Sequence, residues 1–398
     1  MDINGIIEAF KADPVGLTDY LKQKQMLKGQ ISKALSDHVM KHARDTKMAD
    51  VLWLPLTPRT LSVVCVDNWC NLACRMCGGS KGPLKYLSAD GLEKMLDNCP
   101  TAELIIFVAD NSEPLANPDM PKLLKIVSER RLNSNIVTNG HLLSDSLIDV
   151  MLENSQPTIL NISLDAVSQD AYRNIRGADV EKVKERLMRF RDRKRELKKE
   201  SPRLSLLMVG MGDNIAELND MVLYAAELDA WRVHVDHLNG KHHPGDFTEN
   251  PSWRRYLMEA SDTAESMKME LHLPCDALAQ SHKKPAVTDS LSDQAQAVST
   301  ANIQTTTANQ ASSRPLEILR CPAIESVHIG LDGNMRACCN VPTSVGNIYD
   351  SSLEKNTDFL KVKLEYYAGR IHRACMGVAN CPYVMDIKTK KALIDFVD

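Results

Sequence analysis

Cys70, Cys74 and Cys77 stand within eight residues, with three and then two residues between their thiols. Thiolates spaced so closely in a short loop can hold three irons of a [4Fe–4S] cube, leaving the fourth iron open to an outside ligand. An open coordination position marks a reactive metal centre, whereas a set of four cysteines closes its metal, as structural zinc sites do. Zinc motifs usually join C-x2-C to a second such pair, and no second pair adjoins this one. A zinc site completed by a distant ligand, and three unconnected core cysteines, are the other readings of the spacing.

Five more cysteines, Cys321, Cys338, Cys339, Cys375 and Cys381, gather near the C-terminus. Clustered thiols in a reducing compartment ligate metal or do redox chemistry more often than they form disulfides. Cys65, Cys99 and Cys275 lie apart from both groups and read as small buried hydrophobes. Asp332-Gly333 between apolar runs signals a hairpin turn ahead of Cys338. Taken alone, Cys321, Cys338, Cys375 and Cys381 fit a zinc ribbon or one fully ligated cluster. His234, Asp236, His237, His242 and His243 form a further group; they suit proton transfer, or are ordinary polar loop residues.

The elements that must position these groups follow from the apolar pattern. Candidate strands are Leu61–Val66, Leu104–Val108, Asn135–Thr138, Ile159–Leu164, Leu204–Val209 and Trp231–Val235. Helical stretches lie between them at Ser88–Asn98, Pro121–Arg131, Ser144–Asn154, Val180–Lys199 and Ile215–Leu228. Parallel neighbours need a crossover, so six such units in series predict an α/β fold, a partial (β/α)6 TIM-like barrel. Its active site belongs at the C-terminal ends of the strands. The spacing of Leu17, Leu21, Leu27, Ile31, Leu35 and Val39 predicts an N-terminal helical extension over 1–56, with the barrel over 57–275. Residues 276–315, rich in Ser, Thr, Gln and Ala, read as a flexible linker. A small C-terminal cysteine-bearing module then occupies 316–398.

Composition excludes several classes. The 398 residues carry 48 Lys and Arg against 52 Asp and Glu, a net charge of −4, which suits no binder that works by bulk phosphate neutralisation. The basic run in Lys182–Arg203 has an apolar stripe (Val183, Leu187, Phe190, Leu197) and interleaved acids, so it reads as a solvated outer helix. No apolar run reaches the roughly 20 residues of a membrane span. The start, Met1-Asp2-Ile3-Asn4, lacks the basic and apolar parts of an export signal, which points to a cytoplasmic protein.

The motif C-x3-C-x2-C in the first loop of a βα-repeat chain resembles the radical S-adenosylmethionine (SAM) superfamily. Asn111-Ser112-Glu113-Pro114 stands where the family carries Gly-Gly-Glu-Pro to meet the methionine amino group of SAM. Asn139 in Thr138-Asn139-Gly140 ends the third strand, and Ser163 and Asp165 end the fourth, as in the family. Arg176 matches the position whose guanidinium pairs with the SAM carboxylate, and Asn214 resembles the Asn that follows the fifth strand. Two departures stand out. Met76 replaces the aromatic that packs on adenine, and Asn111-Ser112 replaces the paired glycines that let backbone approach the cofactor.

The resemblance implies that Cys70, Cys74 and Cys77 bind the SAM-cleaving [4Fe–4S] cluster. Met76, Asn111, Ser112, Glu113, Asn139, Ser163, Asp165 and Arg176 would contact SAM. One electron cleaves the sulfonium, and the resulting 5′-deoxyadenosyl radical abstracts hydrogen from a C–H bond of substrate. His234 and Asp236 are the candidate acid and base. The C-terminal module resembles a SPASM extension, which implies a small C-terminal iron–sulfur domain, here with one auxiliary [4Fe–4S] cluster on Cys321, Cys338, Cys375 and Cys381. A flavodoxin or ferredoxin would supply electrons. The substrate is a small molecule or a peptide; residues 1–60 are shorter and more uniformly helical than a winged-helix leader-binding domain, which favours the small molecule. An iron–sulfur scaffold without SAM chemistry, a peptide or protein maturase, and a zinc-stabilised interaction module are the competing readings.

Overall fold

Burial of alternate strand residues, with helices between strands, builds most of the described residues around one ten-stranded sheet. The computed structural model describes residues 58–109, 111–238, 245–274, 326–338 and 344–350, with Leu353, Phe359, 371–372 and 396–397. The N-terminal extension, the linker, Cys275, His242 and His243, and Cys321, Cys339, Cys375 and Cys381 lie outside the described residues.

The expected strands are present as β1 (Thr60–Val64), β4 (Leu104–Val108), β5 (Asn133–Thr138), β6 (Thr158–Ser163), β7 (Arg203–Gly210) and β8 (Arg232–His237). All are parallel to their neighbours, and β9 (Glu270–His272) adds a seventh at the β8 edge. Helices α1 (Ala89–Asp97), α2 (Met120–Glu129), α3 (Asp145–Glu153), α4 (Gln169–Arg176), α5 (Val180–Glu196), α6 (Leu218–Glu227) and α7 (Trp253–Ser266) make the crossovers. Side-chain caps start several of them: Ser88 accepts from the Gly91 amide, Ser144 from Leu147 and Ser168 from Ala171. The apolar stripe of α5 is buried at Val183, Leu187 and Phe190, while Leu197, just past its end, is exposed. Its basic residues pair with carboxylates, as in Arg193 with Asp149 at 3.1 Å and Glu196 at 2.7 Å.

β10 (Ser326–Ile329) runs parallel to β1 on its free side, then turns at Asp332-Gly333 into β11 (Asn334–Arg336) and on to β12 (Ser344–Asn347). Gly333 takes φ +79°, the left-handed conformation that the turn requires. The C-terminal hairpin therefore extends the barrel sheet, whose order is β12-β11-β10-β1-β4-β5-β6-β7-β8-β9.

Register assigns the two faces. Leu61, Ile105, Ile136, Leu160, Leu206 and Val233 share one face and join Leu92, Leu123, Met151, Leu187 and Met221 of the helices in a single apolar core. The opposite, concave face carries Ser62, Asn135, Asn161, Ser163, Ser205, Arg232 and His234. No helix among the described residues is long and apolar enough to cross a membrane.

Candidate active site

The cysteine loop does not run straight from strand to helix. Between β1 and α1 the chain forms an antiparallel ribbon, β2 (Val66–Trp69) with β3 (Lys81–Tyr86), and the three cysteines occupy the connection. Its sequence, Lys-Gly-Pro-Leu-Lys-Tyr in β3, has no alternation to reveal a strand, because the ribbon is largely exposed. The loop is held by backbone bonds from Cys70 to Ser80 (2.8 Å) and from Arg75 to Ile175 (2.8 Å). Lys81, which carried no sequence signal, donates to the carbonyls of Cys70 (2.7 Å) and Leu72 (3.0 Å). Gly79 is obligatory: at φ +57° a Cβ there would lie 2.2 Å from the Leu72 carbonyl oxygen.

Cys70 and Cys74 are buried and Cys77 is exposed. Met76 and Ala178 pack against the cluster of Cys70, Leu72 and Cys74. N–H groups turn towards two of the sulfurs. The Leu72 amide lies 3.4 Å and the Asn139 Nδ2 3.9 Å from Cys70 Sγ, and the Arg176 Nη1 lies 3.7 Å from Cys74 Sγ. A hydrogen bond from Cys74 holds the Cys77 thiol down at about 6; the same bond and burial push Cys74 up. Among the described residues no three His, Cys, Asp or Glu side chains close on a single-ion site.

Behind these donors stands a second layer of fixed groups. Asp165 is 1% exposed and takes φ +64°. Its Oδ2 accepts Nε (2.7 Å) and Nη2 (2.5 Å) of Arg176, and its Oδ1 accepts the Val209 amide (2.8 Å). Burial works against the Arg176 charge, yet Asp165 and Cys74 outweigh it and hold the guanidinium above its ordinary value. Asn214, fully buried, ties the same corner together through Asp165 O, Val209 O and the Met211 amide.

Glu113 faces inward. Its carboxylate accepts the Leu115 amide (3.0 Å), the Asn139 amide (2.9 Å) and the Thr138 hydroxyl. Burial pushes its carboxyl above the usual range, against those hydrogen bonds. Asn111 takes φ +52°, a conformation Asn tolerates better than most side chains, so it meets the backbone demand that a glycine would meet. Its carbonyl accepts the Ser80 amide (2.9 Å), and the Ser112 hydroxyl accepts the Trp69 amide (3.2 Å). Asn111 and Ser112 thus anchor the ribbon that carries the cysteines.

Residues 64–225 match the family described as the Radical SAM superfamily. They form a radical SAM domain. The superfamily pairs a [4Fe–4S] cluster with SAM. Over 119 residues the chain is 30% identical to a probable GTP 3′,8-cyclase of Methanococcus vannielii. That match covers 29% of this chain and only 39% of the relative. SuiB of Streptococcus suis bound to S-adenosylmethionine superposes with a TM-score of 0.57 at 14% identity, over 93% of this chain and 80% of SuiB. The anSMEcpe structure with bound AdoMet and the Cp18Cys peptide gives 0.53 at 17% identity, over 82% of this chain and 86% of that one. At these identities the likeness is one of fold.

The structure gathers Cys70, Cys74, Met76, Asn139, Asp165 and Arg176 of the radical SAM domain in one place. Ser163 ends β6 on the concave face, in register with Leu207 and, one strand on, His234. His234 and Asp236 pair at 3.0 Å on that face, with His272 edge-on to His234 at 5.6 Å. His237 points the other way, bonded to Asp246 and stacked on Phe247. Cys65 and Cys99 are buried; burial pushes the Cys65 thiol up, and the Cys99 thiol to about 11. Cys338 follows β11 and is half-buried.

Proposed function

We propose that Cys70, Cys74 and Cys77 hold a [4Fe–4S] cluster whose fourth iron binds SAM, and that the protein abstracts hydrogen from a C–H bond of a peptide substrate. The carrying observation is the set of N–H donors on the cysteine sulfurs. A guanidinium, a side-chain amide and a backbone amide all face Cys70 or Cys74, which is what an anionic sulfur cluster requires of its surroundings. When bound, the cluster and SAM supply a 5′-deoxyadenosyl radical.

The chain's own residues do the rest. Asp165 fixes Arg176 so that Nη1 faces the cluster loop, and Glu113 fixes the Asn139 backbone, from which the side-chain amide reaches Cys70. Met76 gives an apolar cover where the cofactor's adenine would lie. The Asn111-Ser112 segment holds the ribbon steady. His234, oriented by Asp236, stands on the concave face as the group that takes or returns a substrate proton.

SuiB also superposes in its complex with precursor peptide SuiA, with a TM-score of 0.56 at 14% identity, and anSMEcpe binds a peptide. These neighbours support a peptide substrate over a small molecule. The spacing of Cys321, Cys338, Cys375 and Cys381 supports one auxiliary cluster on those four, and the family resemblance of the sequence supports a flavodoxin or ferredoxin as electron source. The test is anaerobic reconstitution followed by reductant-driven SAM cleavage. The reading expects 5′-deoxyadenosine from the wild type and none from Cys74→Ala; intact clusters without cleavage would leave an iron–sulfur scaffold.

A further inference from the structure

The concave face mixes polar residues with apolar ones such as Ile106, Val137, Ile159 and Leu207, and among the described residues Arg232 on it makes no ion pair. Arg232, the first residue of β8, donates from Nε to Ser205 Oγ (3.2 Å) and from Nη2 to Asn161 Oδ1 (3.3 Å). Asn161 is 3% exposed and is itself held by Asn135. Arg232 also lies over the Trp231 ring, 4.6 Å from its centroid, with Arg203 over the same ring at 3.8 Å. Two neutral hydrogen bonds and an aromatic face fix the fork; neither neutralises it.

Among the described residues Arg232 makes no ion pair, and its Nη1 has no partner. The nearest acid by register is Glu270 on β9, and that carboxylate is bonded to His272. Burial and the neighbouring Arg203 hold the guanidinium below its ordinary value, with Glu270 acting the other way. A cation partly withdrawn from water gains from an opposite charge placed beside it. Here the fold orients the guanidinium and, among the described residues, gives the nearest carboxylate by register, Glu270, to His272.

We propose that Arg232, oriented by Asn161, Ser205 and Trp231, binds an oxyanion of the substrate, a carboxylate or a phosphate, on the concave face of the barrel. The assignment deepens the proposed function, because it takes that face as the substrate's seat. A peptide offers such a group in its C-terminus or an acidic side chain. Arg232 then sets which part of the substrate lies beneath His234, two residues further along β8. It is a specificity residue, remote from the cysteine loop.

The experiment titrates anaerobically reconstituted protein with sodium acetate and, separately, inorganic phosphate, by calorimetry. Arg232→Gln is compared with wild type, and Arg189→Gln on the outer helix controls for bulk charge. Loss of a charge-assisted fork should raise the half-saturating concentration at least about tenfold in Arg232→Gln and leave Arg189→Gln unchanged. Saturation by acetate alone assigns a carboxylate, and by phosphate alone a phosphate ester. Saturation by neither, or equal binding in all three proteins, overturns the proposal. If Arg232→Gln fails to fold, Arg232→Lys decides: several-fold weaker binding supports the fork, and unchanged binding overturns it. SAM cleavage by the wild type is assayed alongside. Its absence counts against the radical reading while the anion readout stands, and lost anion binding with cleavage intact counts against Arg232 alone.

Discussion

Asp165 and Arg176 form a buried ion pair in which one carboxylate oxygen receives two guanidinium nitrogens, at 2.7 and 2.5 Å. The other oxygen is bonded to the Val209 amide, so Arg176 has Nη1 left for Cys74. The pair therefore links the end of β6 to the cysteine loop. Removing one partner of a buried pair strands the other charge, which costs roughly 3–5 kcal/mol. Asp165→Asn keeps a residue that tolerates φ +64° and isolates the charge. Denaturant unfolding should show a loss of about 3 kcal/mol, with the Asp165→Asn/Arg176→Leu double variant falling short of the sum of the single losses. Additive losses would contradict the coupling.

Asn111 meets a left-handed backbone at the base of the cysteine ribbon. Asn111→Ala should cost about 1 kcal/mol, because a Cβ without a compensating amide is strained there. Asn111→Gly should stay within about 0.5 kcal/mol of wild type. Equal stabilities for the Ala variant and wild type would remove the conformational explanation for an Asn in place of glycine.

His141 donates or accepts at Tyr172 Oη (2.9 Å) beneath the same corner. Burial, with the charges of Arg186, Arg176 and Lys182, holds its ring down at about 4 from the ordinary 6.5. In the unfolded chain the ring takes a proton near 6.5, and in the fold only near 4. Its contribution to stability is therefore complete above pH 6.5 and is lost as pH falls towards 4. Unfolding midpoints measured between about pH 7 and about pH 4.5 should fall more steeply in wild type than in His141→Gln. Parallel curves would show that His141 titrates normally in the fold.

Much of the barrel was legible because its helix-facing strand residues are largely apolar: Leu104–Val108 was delimited to the residue. The ribbon of β2 and β3 was not, since Lys81–Tyr86 lies in solvent and nothing selects alternation there. In the site, the cysteine spacing is local and could be read directly. Asn139, after β5, and Arg176, the last residue of α4, reach the sulfurs from far along the chain, so only resemblance to a family pointed to them. Glu113 matched its motif, yet its inward carboxylate holds Asn139 and Thr138, a role that only folded geometry reveals. Arg232 carried no signal, because sequence alternation does not tell a polar residue on the concave face from a solvent-facing one. The cysteines of the second group, other than Cys338, lie outside the described residues.

The central claim is tested most directly by the electron paramagnetic resonance of the reduced, reconstituted protein before and after SAM, with iron and sulfide counted. A Cys321→Ala/Cys375→Ala/Cys381→Ala variant leaves only the first cysteine group to report. The account predicts four irons and four sulfides per chain in that variant, a [4Fe–4S] signal that shifts when SAM is added, and loss of both on adding Cys74→Ala. Zinc in place of iron, or a cluster signal indifferent to SAM, would contradict it.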